Sequence, residues 1–193
     1  MFSLPHSAGQ PPVIETERLK MRGHRLGDFA DSAAMWREPV VFRHIGGASA
    51  PESELWTKFL RNAGHWALLG FGYWLAQEKA TGRFVGEVGF ADFKREIEPS
   101  LKGMPEIGWV LASAMHGKGY GTEAVRAALA WGDANFGSSK TACIVDPENG
   151  ASLRLAAKFG YRELQRTTYK GQPTIMFTRD NPRGQACLPI NDP

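Results

Sequence analysis

Glycines at alternate positions, in His116-Gly117-Lys118-Gly119-Tyr120-Gly121, are the densest chemical signal in the chain. Glycine lets a backbone turn sharply and brings its amides close to a ligand. Val125, Ala128, Leu129 and Phe136 then recur at helical spacing and predict a helix from Thr122 to about Phe136. A helix starting there turns its unpaired N–H groups back into the loop, which suits phosphate oxygens. A single glycine would suffice for a plain turn. The pattern is not G-x-x-x-x-G-K-[ST], because Ala112 stands where the first glycine belongs and Gly119 follows Lys118. Gly119-x-Gly121-x-x-Ala124 matches the dinucleotide fingerprint letter for letter, and Asp146 ends the next strand. However, Ala114 to Lys118 separate it from the preceding strand, and too little chain follows for a full dinucleotide fold. Cys143 is a nucleophile on paper. It sits in an apolar strand with no histidine near it in sequence, which favours core filling.

The elements around the loop follow from local patterns. Arg18 to Arg22 alternates as a strand. Asp28 is placed to cap a helix carrying Phe29, Ala33 and Trp36, which Pro39 stops. Ser49-x-x-Glu52 fits a capping box for a second helix through Leu55, Phe59, Ala63 and Trp66. Strands are expected at Gly72 to Glu78, Arg83 to Asp92 and Glu106 to Ser113, with a turn at Thr81-Gly82. Thr141 to Val145 reads as a short buried strand, and Asn149 caps a helix that Gly160 ends. Tyr161 to Arg166 and Thr174 to Arg179 bracket a turn at Lys170-Gly171. The order implies an α/β (α+β) domain with a mixed sheet.

Against that background, His116-x-x-Gly119-x-Gly121, after a strand and opening a helix, resembles the [QR]-x-x-G-x-[GA] loop of the GNAT superfamily of acyl-CoA-dependent N-acyltransferases. EIGWVLASAMHGKGYGTEAVRAAL, together with IETERLKMR, GEVGF and ENGASLRLAAKFGY, is similar to the ribosomal-protein N-terminal acetyltransferase subgroup. The resemblance covers roughly residues 13 to 180 and implies a mostly antiparallel central sheet of about seven strands flanked by helices. It implies acetyl-CoA as co-substrate, with no metal. The backbone of Trp109, Val110 and Leu111 would pair with the pantetheine arm. The amides from Gly117 and Lys118 through Gly119, Tyr120, Gly121 and Thr122 would hold the pyrophosphate, and Asn149 and Ser152 would reach the pantetheine amides. His116 departs from the motif; an imidazole can cap a phosphate or turn the loop. Lys158 is a further candidate for the nucleotide phosphates.

Acyl transfer to an amine needs a base for the ammonium proton, a donor for the carbonyl oxygen and a proton for the thiolate. Glu106, at the start of the strand that would line the thioester, is the first candidate base, and Glu87 in GEVGF the second. The Leu111 N–H is a candidate carbonyl donor. Many relatives carry a tyrosine seven residues after the helix asparagine; here that position is Ala156, which leaves Ser152 or a water as the proton source. Trp36, Phe42, Trp56, Trp66 and Trp74 are divided between acceptor pocket and core, and Phe42 to Gly47 has the makings of an acceptor loop.

Composition narrows the classes that remain. With 193 residues, 42% hydrophobic and 22% charged, the chain matches an ordinary globular domain. One domain over 13–180 is expected, with loosely ordered tails at 1–12 and 181–193. A net charge of +3, with bases and acids interspersed, is no nucleic-acid footprint. No apolar run suggests a membrane span and no signal peptide opens the chain. Two distant cysteines, Cys143 and Cys187, read as reduced thiols in a cytoplasm. The expected partner is an amine, on a small molecule or a protein N-terminus; a homodimer is left open. An acyl-CoA-binding module without catalysis, and a dinucleotide enzyme, are the competing functions.

Overall fold

The structure is a computed structural model that describes residues 9–46, 49–137 and 140–182. Its strands are β1 (Ile14–Glu15), β2 (Leu19–Arg22), β3 (Tyr73–Glu78), β4 (Phe84–Ala91), β5 (Glu106–Leu111), β6 (Thr141–Val145), β7 (Arg162–Tyr169) and β8 (Gln172–Arg179). Its helices are α1 (Phe29–Trp36), α2 (Pro39–Phe42), α3 (Glu52–Leu69), α4 (Tyr120–Asn135) and α5 (Gly150–Lys158). The eight strands form one sheet in the order β1-β2-β3-β4-β5-β6-β8-β7. Every neighbouring pair is antiparallel except β5 and β6. The mixed, mostly antiparallel sheet is the expected one, with the two-residue β1 added at its edge through Ile14 and Met21.

Alternation along β4 and β5 sorts their side chains between two faces. Val88, Phe90 and Ile107 join Val125, Ala128, Leu129 and Phe136 in the larger core, which seats α4 on the sheet. Val110 faces the other way and packs with Ala33, Met35, Trp36, Val41 and Leu55 of α1 to α3. Glu87 shares that second face, since its partners lie on α1 and α3. Among the described residues, no helix is long and apolar enough to cross a membrane.

Local signals were met or overridden for identifiable reasons. Pro39 opens the short α2 instead of merely ending α1, because proline at the first helical position lacks only an N–H that would be unpaired there. Asp28 does not cap α1: its carboxylate is held by Arg22 at 2.7 and 2.8 Å and by the Arg25 N–H. The Ser49–Glu52 capping box does not form either, since Pro51 occupies the N-cap of α3 and no side chain caps it. α4 begins at Tyr120, two residues before the expected Thr122. Asn149 does cap α5, accepting the Ser152 N–H, and Gly160 follows the helix at φ 79°. Trp66 and Trp74 are core, stacked edge-on with Trp131. Trp56 stacks on Phe59 and meets Phe29 edge-on.

Tyr73 crosses the sheet toward β5, so that a Cβ at Gly108 would lie 1.9 Å from its hydroxyl. The ring is buried and cannot swing away freely. Gly108→Ala should therefore destabilise the fold by ~1–2 kcal/mol through overpacking. Removing the hydroxyl in a Gly108→Ala, Tyr73→Phe double variant should recover much of that loss in urea unfolding. Additive losses would show that the contact is not what excludes a side chain at Gly108.

Candidate functional site

The glycine loop lies where β5 runs into α4. Gly117 and Gly119 adopt φ of 72° and 82°, a region that side chains resist, and Gly119 is the N-cap. The first bond within the helix runs from the Glu123 N–H to the Gly119 carbonyl. The N–H groups of Tyr120, Gly121 and Thr122 precede it and face the loop. His116 closes the loop itself: its Nε2–H donates to the Leu111 carbonyl at 2.9 Å.

Residues from the first strands hold this loop in place. The Arg18 guanidinium donates to the Lys118 carbonyl at 2.9 Å, to Glu123 at 2.7 Å, and covers the Tyr120 ring at 4.5 Å. Glu123 also accepts the Thr16 hydroxyl at 2.6 Å and the Arg18 N–H at 2.8 Å. The Tyr120 hydroxyl donates to Glu78. Burial by itself would raise the Glu123 pKa, but the hydrogen bonds from Thr16 and Arg18 outweigh it and hold it below the usual carboxylate value. Beside the loop, a groove of about 510 Å³ is lined by Arg18, Gly119, Thr122, Arg126 and Lys158, among others. Lys158 is thereby brought next to the glycines.

β5 and β6 pair at Glu106 and Ala142 and then diverge. The Ala112 N–H bonds Val85 on β4, and alternation along an antiparallel strand directs the Leu111 and Trp109 N–H groups the other way, into the opening. His116 takes the Leu111 carbonyl and leaves its N–H free to donate. Across the opening, Asn149 caps α5 through Oδ1 at 3.0 Å from the Ser152 nitrogen. The Ser152 hydroxyl accepts the Trp109 indole N–H at 3.1 Å, so its own proton remains available to donate. Loop, open strand edge and Ser152 thus converge on one slot.

The two glutamates sit on the opposite sheet face and are both engaged. Glu106 is gripped by Arg95 through two hydrogen bonds of 2.6 and 2.7 Å. Arg95 in turn lies over Phe93 and Tyr169. Glu87 is buried and accepts from Ser32 at 2.6 Å, Trp36 at 3.2 Å and Asn62 at 3.3 Å, with His24 Nε2 at 3.2 Å. Burial would raise Glu87, but His24, Ser32 and Trp36 together hold it below its ordinary value, so it is a charged anchor. A carboxylate with its lone pairs occupied by such donors is a weak proton acceptor. Lys58 lies over the Trp36 ring at 3.3 Å, and burial draws its pKa down to about 8. Burial, with Glu106 nearby, pushes the Cys143 thiol up and keeps it protonated.

Two features escaped the motif reading. Arg95, the partner of Glu106, lies in a polar loop with no pattern around it. His44 Nδ1 meets Asp146 Oδ2 at 2.6 Å, 102 positions apart. His44 belongs to the Phe42–Gly47 segment, whose Gly47 falls outside the described residues, as does Cys187. Among the described residues, no group of three or more His, Cys, Asp or Glu side chains is placed to hold a metal ion.

Comparison with known proteins identifies the family and the fold. Residues 18–162 match the family model described as an acetyltransferase (GNAT) domain. The chain is 33% identical over 168 residues to the uncharacterized protein YkkB of Bacillus subtilis, covering 86% of this chain and 94% of that one. An acetyltransferase from Agrobacterium tumefaciens shares the fold with a TM-score of 0.76 at 21% identity, over 92% of this chain and 99% of that one. The ribosomal L7/L12 α-N-protein acetyltransferase RimL, in complex with coenzyme A, shares it with a TM-score of 0.71 at 14% identity, over 89% of this chain and 99% of that one.

The Glu123 clamp makes a pH-dependent prediction. Its folded pKa is depressed, so its contribution to stability is complete above the unfolded carboxylate value of ~4.3 and is lost as pH falls through the folded one. Glu123→Gln should lower stability by roughly 1–2 kcal/mol at neutral pH. In urea unfolding the gap to the parent should close on going from pH 7 to about pH 3. A gap that persists at the acid end would contradict a charged clamp.

Proposed function

The chain belongs to the GNAT acetyltransferase family, and we propose that the acetyl group it takes from acetyl-CoA passes by direct attack to a primary amine, on a small molecule or a protein N-terminus. The observation that carries this reading is the alignment of the glycine loop with the β5–β6 opening. A coenzyme with its pyrophosphate on the Gly117–Thr122 amides would lay its pantetheine arm along Trp109, Val110 and Leu111. Asn149 and Ser152, at the start of α5, would reach that arm, and the Trp109–Ser152 hydrogen bond supports the reading by tying α5 to β5.

The free Leu111 N–H is the candidate donor to the thioester oxygen, where charge develops as the amine adds. Ser152, held by Trp109, supplies a hydroxyl proton toward the leaving sulfur in place of the tyrosine that Ala156 cannot provide. Direct attack is favoured over a covalent enzyme intermediate because Cys143 is buried and protonated. Glu106 and Glu87 shape the field of the acceptor face from their ion-paired and hydrogen-bonded positions. The acceptor would approach from the α1–α3 face, between those helices and the β7–β8 turn.

Acetyl-CoA at ~100 times its dissociation constant should stabilise the protein by roughly 2.7 kcal/mol in a thermal melt, and NAD should not. Incubation with acetyl-CoA and a panel of primary amines should release thiol in an amine-dependent manner. A shift with NAD alone would overturn the ligand. Binding of acetyl-CoA without thiol release for any amine would favour a non-catalytic acyl-CoA-binding module.

A further inference from the structure

With both glutamates engaged, proton removal from the acceptor ammonium needs another group. Three of the histidines are otherwise committed. His24 contacts Glu87, and His65 Nε2 meets the Asp92 carbonyl; the remaining Nδ1 of each is buried. His116 spends its Nε2–H on Leu111 within the glycine loop. Lys58 on α3 is packed over the Trp36 ring of α1, and burial draws its pKa down to about 8.

His44 differs from all of these. It follows α2, on the sheet face that carries Glu87, and reaches across to Asp146 at the end of β6. Val41 of α2 packs with Val110 of β5 and Asp146 directly follows β6, so the His44 ring bridges from the element covering β5 to the end of β6, where the two strands have parted. Its Nδ1 lies 2.6 Å from Asp146 Oδ2, and the two side chains are 20% and 24% exposed. A carboxylate only accepts, so Nδ1 carries the proton and the neutral ring keeps its lone pair on Nε2. Nε2 has no partner among the described residues, and it is not sealed from solvent. Asp146 is fixed in turn: Oδ1 accepts the Glu148 N–H at 2.8 Å, and its carbonyl accepts the Asn149 N–H at 2.9 Å. The carboxylate is thus built into the turn that starts α5, beside Asn149 and Ser152.

We propose that His44 is the general base of the transfer and that Asp146 is the positioning residue that sets its tautomer. This rests on the N-acetylation reading above. His44 Nε2 takes one proton from the acceptor ammonium. The freed nitrogen pair forms the C–N bond to the acetyl carbon, and the C–S bond breaks with its electron pair on sulfur. The second nitrogen proton passes to the thiolate, with Ser152 placed to relay it, and the imidazolium returns the first proton to water.

The experiment combines the tautomer in the free protein with the kinetics of variants. In ¹⁵N NMR of the parent without ligand, His44 should be the Nδ1–H tautomer, and Asp146→Asn should shift it toward Nε2–H. His44→Ala and His44→Gln should each lower kcat by at least ~100-fold on the best amine of the panel, with KM for acetyl-CoA within a few-fold. The glutamine amide can still bond Asp146, so its loss reports chemistry rather than a broken bridge. Substituted imidazoles should restore rate to His44→Ala in order of their basicity. An Nε2–H tautomer in the parent, or His44→Gln within a few-fold of the parent rate, overturns the assignment. A parent that releases no thiol with any amine overturns the transfer reading instead, and the base with it.

Discussion

β5 and β6 are parallel neighbours that part after a single pairing, Glu106 with Ala142, and the site depends on that divergence. A fully zipped pair would satisfy the backbone groups of Trp109 and Leu111 internally, leaving nothing to offer a ligand. The open edge is tolerable because each lip is held from outside. β4 pairs with the whole of β5, from Glu106 to Leu111, and β8 pairs with β6 from Thr141 to Val145. α5, started by Asn149, stands behind the gap with Ser152 turned into it. The slot is therefore a property of the sheet, not of a loop.

The glycine loop needs a different kind of support. Its glycines permit the turn but do not enforce it, since glycine also has the most freedom to lose. Arg18 and Glu123 supply the constraint by tying the start of the sheet to the first turn of α4. An acidic side chain in that first turn also complements the helix dipole. On the far face, charges are arranged in the same economical way: Arg95 holds Glu106, and the donors around Glu87 hold it ionised. Both carboxylates are thereby fixed in place on that face. The His44–Asp146 contact ties the segment after α2 to the turn after β6.

What the sequence disclosed was local. Glycine spacing with a helix behind it revealed the loop, alternation, apolar runs and turn signals revealed seven of the strands, and Asn149 and Gly160 marked both ends of α5. Errors fell where one residue had two valid uses. Pro39 can stop one helix or start another, and Asp28 can cap a helix or pair with an arginine. Ser49 and Glu52 have the spacing of a capping box, but Pro51 takes the N-cap. The catalytic question was the least legible. Glu106 and Glu87 carry the right chemistry at the right places in the motif, yet their availability is decided by Arg95 and by Ser32, Trp36 and Asn62. No period or spacing announces such partners, and the same holds for His44 and Asp146.

The most direct test of this account is a crystal structure with acetyl-CoA bound. The pyrophosphate should rest on the amides of Gly117 to Thr122, and the pantetheine arm should lie between β5 and β6, with its thioester oxygen toward the Leu111 N–H. A coenzyme lying wholly in the groove beside Arg126 and Lys158, with β5 and β6 paired beyond Glu106 and Ala142, would contradict it.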